Sequence, residues 1–184
     1  MKIYLAGPEV FLPEPFVIAE RKKQICDRYG HSGIFPMDAP LPSDFAEMQP
    51  RQQGFTIYNI NRNTMMGCDA IVANMTPFRG ISMDVGTAFE MGFMAASGKP
   101  VLGYSNNTLP YNYRVRNEFY PISVDENGFF RDQDGMQIED FSLSDNLMME
   151  GAINYSMYII QTHVVNVENI WTDLTAFEKC VSML

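Results

Sequence analysis

Two carboxylates six positions apart, Asp84 and Glu90, are the residues of this sequence best placed to do chemistry. Glu90 interrupts a segment of apolar and small residues. A carboxylate in such a segment is either a solvated helix residue or a reactive group in a partly apolar pocket. On an ideal helix, six residues separate two side chains by about 120°. The two carboxylates can therefore share a site only if Asp84 lies in the loop that precedes the helix of Glu90.

The elements around these carboxylates are predicted to form a strand, a loop, a helix and a second strand. The apolar run over residues 69–75 has the length of a buried strand. Apolar spacing predicts a helix from about 85 to 97 that ends at Gly98, and residues 100–104 predict the next strand. A right-handed crossover places the loop 76–84 at the carboxyl edge of the sheet, where parallel sheets bind their ligands.

The remaining pattern predicts one α/β domain over residues 1–184, with a flavodoxin-like (Rossmann-like), mostly parallel five-stranded sheet and helices on both faces. Outside the central stretch, four more helices are predicted, over about 14–29, 52–66, 143–165 and 167–184. Short strands are predicted over 2–6 and 34–35, a long loop over 105–121, and a hairpin with an Asn-Gly turn over 122–130.

Composition limits the partners that this chain can have. Its formal charge is −9 without a block of Lys or Arg, which argues against nucleic acid and against anionic membrane surfaces. No apolar run approaches the roughly 18 residues of a membrane-spanning helix. The three widely spaced cysteines favour reduced thiols in a cytoplasm and no metal site. Without a G-x-G-x-x-G motif, a dinucleotide is disfavoured, and we expect no cofactor.

Four segments together resemble the nucleoside 2-deoxyribosyltransferases. The family signature is similar to residues 84–92, DVGTAFEMG, preceded by CDAIVA over 68–73. The family's first strand and loop resemble YLAGPEVF over 4–11, and its C-terminal substrate-contacting segment resembles NLMM over 146–149. These segments stand in the right order and together cover most of the chain.

The resemblance implies transfer of deoxyribose between nucleobases through a covalent sugar–enzyme intermediate, with retention of configuration. Glu90 is then the nucleophile at the anomeric carbon, as in retaining glycosyl transfer. Asp84 is the candidate that protonates or hydrogen-bonds the leaving base. Tyr4, on the first strand, can donate its hydroxyl to Glu90 and hold it in line. A buried strand tyrosine with a purely structural hydrogen bond is the alternative for Tyr4.

Three candidate substrate contacts lie near the expected carboxyl edge. Gly7 ends the first strand there and converges with the loop 76–84 and Glu90. Phe11 and Met83 could sandwich the base, but both would serve equally well in the core.

Two asparagines are further candidates for substrate binding. Asn61 stands where the family tends to carry an Asp that contacts the substrate. An amide can donate to a sugar hydroxyl or a base carbonyl but cannot act as a base, and a plain helix-face Asn is the alternative. Asn146 matches a residue that, in the family, contacts the sugar in the neighbouring subunit's pocket, and it also fits a helix N-cap.

The resemblance thus implies deoxynucleosides and free nucleobases as partners, in a homo-oligomer whose sites a neighbouring subunit completes. Three other functions stay open. An N-glycosidase on the same fold would use water as the acceptor. For such an enzyme the Glu9 carboxylate argues against a 5′-phosphate substrate, which would need an amide cradle or an Arg. An NAD-cleaving, TIR-like domain would need an adaptor domain, for which 184 residues leave no room. A non-catalytic binding module would tolerate replacement of Glu90.

Overall fold

The computed structural model describes residues 1–184 and is built around five parallel strands. In chain order the strands are β1 (Lys2–Ala6), β2 (Ser32–Ile34), β3 (Ala70–Asn74), β4 (Val101–Ser105), β5 (Ser123–Val124), β6 (Phe130–Arg131) and β7 (Gln161–Thr162). The main sheet has the order β2-β1-β3-β4-β7, and every neighbouring pair in it is parallel. This order is flavodoxin-like, so the predicted fold class is confirmed.

Helices cover both faces of the sheet. They are α1 (Pro15–Arg28), α2 (Pro50–Met66), α3 (Val85–Ala96), α4 (Tyr111–Glu118), α5 (Leu147–Tyr155) and α6 (Thr175–Val181). Ile3 and Leu5 of β1 pack in one core cluster with α1 and α6. Tyr4 and Ala6 point to the other side, into a cluster with α2, α3 and α5. Because both faces are covered, the central strands are continuous apolar runs rather than alternating ones. None of the helices has the length and apolar character needed to cross a membrane.

The predicted helix over 143–165 is wrong in its second half. Helix α5 ends at Tyr155, and Met157 takes a left-handed conformation with φ 65° that stops it. The chain then becomes β7, which pairs with β4 at Tyr104 and Ser105 and supplies the fifth strand. A two-residue strand at the sheet edge is too short to produce a periodic signal in the sequence.

Two further expectations need correction. The loop predicted over 105–121 contains α4, whose position is fixed by polar bonds of Arg114 rather than by a clear apolar stripe. The helix predicted over 167–184 is reduced to a 3-10 turn, Val167–Asn169, and the short α6. Between them, the side chain of Asn106 donates to the carbonyl oxygens of Ile170 and Asp173, which are therefore not available to a continuous helix. The predicted hairpin is confirmed as β5 and β6, with Gly128 at φ 83° in the turn.

Candidate active site

A cavity of about 670 Å³ opens at the carboxyl ends of β1 and β3, where the order of the strands reverses. Its walls come from the segment after β1, the loop after β2, one face of α2 and the first turns of α3. These four segments are far apart in the sequence, and only the parallel sheet brings them together. Five of the eight predicted site residues line the cavity directly, namely Gly7, Phe11, Asn61, Asp84 and Glu90.

Asp84 satisfies the geometric condition for sharing a site with Glu90. It is the N-cap of α3, with an extended backbone at φ −60° and ψ 130°, and thus belongs to the loop rather than to the helix. Its Oδ2 accepts hydrogen bonds from the backbone N–H of Thr87 at 2.9 Å and from the Thr87 hydroxyl at 3.0 Å. Since both bonds use Oδ2, the other carboxylate oxygen is not committed to capping.

Tyr4 lies beneath Glu90 and donates its hydroxyl to Glu90 Oε1 at 2.7 Å. The Tyr4 ring is fully buried in the sheet, and burial and the neighbouring Glu90 carboxylate raise the pKa of Tyr4 far above its usual range. Its hydroxyl therefore stays protonated and acts as a donor. This bond engages one oxygen of Glu90, and the second oxygen is free to face the cavity.

The ionisation of Glu90 is set by opposing influences. Burial is the largest of them and raises the pKa of Glu90 to about 7, the hydrogen bond from Tyr4 lowers it, and the charge of Asp84 raises it. A carboxylate with this pKa changes its charge near neutral pH, which is common for groups that take part in catalysis and uncommon for surface glutamates.

Gly7 is required because the side chains of Glu9 and Asn74 pack closely against it. A Cβ atom on Gly7 would lie 1.9 Å from Glu9 Oε2 and 2.9 Å from the Cβ of Asn74. Glu9 cannot easily move, because its Oε1 accepts bonds from Lys22 Nζ, Asn74 Nδ2 and the Tyr104 hydroxyl. Glu9 is therefore buried away from the cavity. The argument that its charge repels a substrate phosphate has no basis in this geometry.

Two of the predicted substrate contacts do not line the cavity of their own chain. The side chain of Met83 is buried in the core cluster beneath α3 and α5. Asn146 is the N-cap of α5, where its Oδ1 accepts from the backbone N–H of Met148 at 3.1 Å and its Nδ2 donates to Glu139 at 2.8 Å. For both residues the structure shows the alternative that the sequence left open, a core position for Met83 and a helix cap for Asn146.

The apolar wall of the cavity was not identified residue by residue from the sequence. It consists chiefly of Phe16, Pro36, Met37, Leu41, Ile57 and Ile60. Asp38 lies in the same wall and pairs with Lys23 at 2.6 Å. The sequence signal for this wall is the proline-rich loop that starts at residue 36. Its first six residues, 36–41, line the cavity.

Arg114 has a buried guanidinium that helps to fix the turn before Asp84. The sequence gave no reason to single out this residue. Arg114 donates to the carbonyl oxygens of Ile81 at 2.7 Å and Ser144 at 2.6 Å, and lies 3.4 Å from the carboxylate of Asp145. The carboxylate of Asp145 in turn accepts a hydrogen bond from the backbone N–H of Met83 at 2.9 Å. These bonds connect α4, the turn before α3 and the start of α5. No group of three or more His, Cys, Asp or Glu side chains is placed to hold a metal ion.

The chain belongs to the nucleoside 2-deoxyribosyltransferase family, whose sequence profile matches residues 3–148. It is 32% identical over 165 residues to the uncharacterized protein C191.05c of Schizosaccharomyces pombe, covering 84% of this chain and 77% of that protein. Among solved structures it is similar to a 2-deoxyribosyltransferase from Leishmania mexicana, with 28% identity, a TM-score of 0.58 and coverage of 84% of this chain and 95% of the other. A 2-deoxyribosyltransferase from Bacillus psychrosaccharolyticus is 25% identical, with a TM-score of 0.48 and coverage of 59% and 75%.

Proposed function

We propose that this protein transfers 2-deoxyribose from a deoxynucleoside to a free purine or pyrimidine base, with Glu90 as the nucleophile. The observation that carries the proposal is the Tyr4–Glu90 hydrogen bond on the floor of a cavity that Asp84 also lines. Membership of the deoxyribosyltransferase family supports the same reaction class. The substrates that follow are deoxynucleosides and free nucleobases.

In the first step, the free oxygen of Glu90 attacks the anomeric carbon of the donor. The N-glycosidic bond breaks, and its electron pair leaves with the base. The sugar ring gains positive charge in the transition state, and the Glu90 carboxylate both stabilises this charge and forms the new C–O bond. Tyr4 keeps the other oxygen of Glu90 engaged, so the attacking oxygen has a defined direction.

Asp84 is assigned to the leaving base. A base anion leaves poorly, so Asp84 gives a proton to a nitrogen of the leaving base as the N-glycosidic bond breaks. The oxygen of Asp84 that does not cap α3 is available for this contact. In the second step a new base attacks the anomeric carbon, Glu90 leaves, and Asp84 receives the proton that the incoming base nitrogen loses. Two displacements on opposite faces of the sugar give overall retention.

Phe11, Gly7 and Asn61 are assigned to substrate binding. The ring of Phe11 offers a stacking surface, and Gly7 lines the same cavity. The amide of Asn61 can donate to a sugar hydroxyl or to a base carbonyl, but it cannot replace Asp84 as an acid.

We also propose that the active form is a homo-oligomer in which Asn146 reaches the sugar of a neighbouring site. Support comes from the apolar side chains around the start and end of α5, where Met148 is 65% and Tyr155 is 85% exposed. An apolar groove of about 340 Å³ runs between α3 and α5 beside them. Exposed apolar patches of this kind are usually covered by another chain.

The test of transfer is incubation with 2′-deoxyinosine and adenine, and separately with a deoxypyrimidine nucleoside and a purine base, followed by chromatography. We expect new deoxynucleoside from the wild-type protein and none from Glu90→Ala. The control variant Glu126→Ala changes an exposed glutamate of the hairpin and should keep full activity. Free base without exchange in the wild type would contradict transfer and assign an N-glycosidase instead.

Shared sites are tested by mixing two inactive variants, Glu90→Ala and Asn146→Ala. A site that combines Glu90 from one chain with Asn146 from the other is complete, so the mixture should recover part of the activity. A mixture of exchanged subunits that stays inactive would contradict the role of Asn146 in a neighbouring site.

A further inference from the structure

The ring of Phe11 has one side committed to the protein and the rest open. It is 55% exposed and lines the cavity that contains Asp84 and Glu90. Phe78 stacks on it in a nearly parallel arrangement, with ring centroids 5.5 Å apart and planes inclined by 8°. Phe78 itself does not line the cavity. It therefore supports Phe11 from outside the cavity, and the exposed part of Phe11 that lines the cavity is available to a ligand.

Two more side chains hold this pair of rings. The rings of Trp171 and Phe78 are nearly perpendicular, with a centroid distance of 5.9 Å and an interplanar angle of 86°, the T-shaped arrangement that aromatic quadrupoles favour. The guanidinium of Arg79 lies 4.7 Å from the centroid of Phe78 and 5.1 Å from that of Phe11. Arg79 thus covers both stacked rings at once, within the range of a cation–π interaction.

The backbone of Arg79 adopts a conformation that is uncommon for a residue other than glycine. Arg79 has φ 54°, in the left-handed region that costs free energy for a residue other than glycine. It makes no ion pair with any carboxylate of the chain, so the two rings are its main partners. The turn that presents it is closed by the hydrogen bond from the Phe78 N–H to the Ser82 oxygen at 3.0 Å.

We propose that Phe78, Arg79 and Trp171 are positioning residues that hold Phe11 as a stacking platform for the nucleobase. A bound base would add to the stack of Phe11 and Phe78, against which Trp171 packs at a right angle. The aromatic face suits any base, because every base has a π-face. Fixing the ring before binding removes the entropy cost of ordering it in the complex. This inference depends on the proposed function for the identity of the ligand as a nucleobase.

The arrangement also supplies its own reporter, because Trp171 is the single tryptophan of the chain. Its ring contacts Phe78, which contacts Phe11, so binding at Phe11 should alter the fluorescence of Trp171. Titration with free adenine in the absence of any deoxynucleoside measures binding without turnover. We expect a saturable change in Trp171 fluorescence with the wild-type protein.

The variants Phe78→Leu and Arg79→Gln test the support itself. Phe78→Leu keeps an apolar side chain but loses the ring, and should raise the Kd for adenine and the KM for the acceptor base about fivefold, with kcat unchanged. Arg79→Gln should raise both about threefold. The matched controls are Phe55→Leu and Arg51→Gln, which break a similar exposed pair on α2 with a distance of 5.3 Å, and they should change neither constant.

The results separate this inference from the proposed function. Unchanged Kd and KM in Phe78→Leu would overturn the platform, as would a fall in kcat with KM unchanged, which indicates a structural role. Isothermal titration calorimetry repeats the Kd measurement without relying on fluorescence. If the wild type binds adenine and the variants bind it more weakly, but no deoxyribose is transferred, the platform stands and the proposed transfer fails.

Discussion

Tyr4 and Glu90 are separated by 86 positions in the sequence and joined by a hydrogen bond of 2.7 Å. Tyr4 is fixed in β1, an interior strand of the sheet, and Glu90 projects from α3 towards it. The bond therefore restricts the side chain of Glu90, the proposed nucleophile, to one orientation relative to the sheet. A catalytic group that is held by a buried partner is oriented before the substrate arrives.

The variant Tyr4→Phe should move the pH dependence of transfer to higher pH. Glu90 must be ionised to attack, so kcat/KM should rise with pH through its pKa of about 7. The hydrogen bond from Tyr4 lowers that pKa, and its removal raises it. At pH 7 we expect an activity loss of about threefold to tenfold that shrinks at alkaline pH.

Steady-state kinetics across pH check this, with Tyr29→Phe as the control. Tyr29 also donates to a glutamate, Glu178, at 3.2 Å, but far from the cavity on the surface. Its loss should leave the profile unchanged. An acid limb in Tyr4→Phe at the wild-type position or below would contradict the assigned role of the bond.

Glu90→Gln should make the folded protein more stable at alkaline pH. The folded state raises the pKa of Glu90 from 4.5 to about 7, so it binds the proton more tightly than the unfolded chain does. Stability from this group is complete below pH 4.5 and is lost as the pH rises to about 7. At pH 8 the variant should gain on the order of 1–2 kcal/mol in the free energy of unfolding.

Urea denaturation at pH 4.5 and pH 8 compares Glu90→Gln with the wild-type protein. The gain should be present at the higher pH and small at the lower one. A variant that is less stable than the wild type at pH 8 would show that ionised Glu90 does not destabilise the folded protein.

Gly7→Ala should destabilise the protein and abolish transfer. The new methyl group would meet Glu9 Oε2 and the Cβ of Asn74, and both side chains are held by the buried hydrogen bonds of Glu9 Oε1. We expect a loss of roughly 2 kcal/mol or more in the free energy of unfolding. The control Gly54→Ala adds a methyl group within α2 where nothing lies within 4 Å, and should stabilise the protein by about 0.5–1 kcal/mol. Denaturation curves that ranked the two variants in the opposite order would be incompatible with the close approach at Gly7.

Arg114→Met should destabilise the protein strongly. It leaves the buried carboxylate of Asp145 without its cation and the Ile81 and Ser144 carbonyl oxygens without their donor. Breaking one side of a buried pair typically costs about 3–5 kcal/mol. The control Arg116→Met removes a neighbouring cation that lies 4.0 Å over the ring of Phe130 and should cost less than about 1 kcal/mol. Similar melting temperatures for the two variants would contradict the stabilising role assigned to the buried bonds of Arg114.

The central elements could be predicted from the sequence because local signals and tertiary structure agree there. The apolar runs of β1, β3 and β4 are continuous since both faces of the sheet are covered. Helix α3 has both its Asp84 cap and its Gly98 stop, the latter at φ 70°. The carboxyl-edge rule placed the loop 76–84 at the ligand edge, and helix geometry required Asp84 to lie in that loop if it shares a site with Glu90.

The outer elements could not be predicted because long-range contacts determine them. Helix α4 depends on what Arg114 binds at positions 81 and 144, and β7 depends on pairing with β4. The cavity wall from the loop 36–41 combines prolines and apolar residues without periodicity. The sequence also could not predict that the Glu9 side chain points into the core rather than into the cavity. Its hydrogen-bond partners Lys22, Asn74 and Tyr104 come from three separate elements.

The most direct test of the account is to look for deoxyribose bound to Glu90. The wild-type protein is incubated with 2′-deoxyinosine without an acceptor base, quenched with acid, digested and measured by peptide mass spectrometry. We expect the mass of one deoxyribosyl group on the peptide that contains Glu90, and we expect it to disappear when adenine is added before the quench. Base exchange that proceeds without such an adduct, and that persists in Glu90→Gln, would contradict the assignment of Glu90 as the nucleophile.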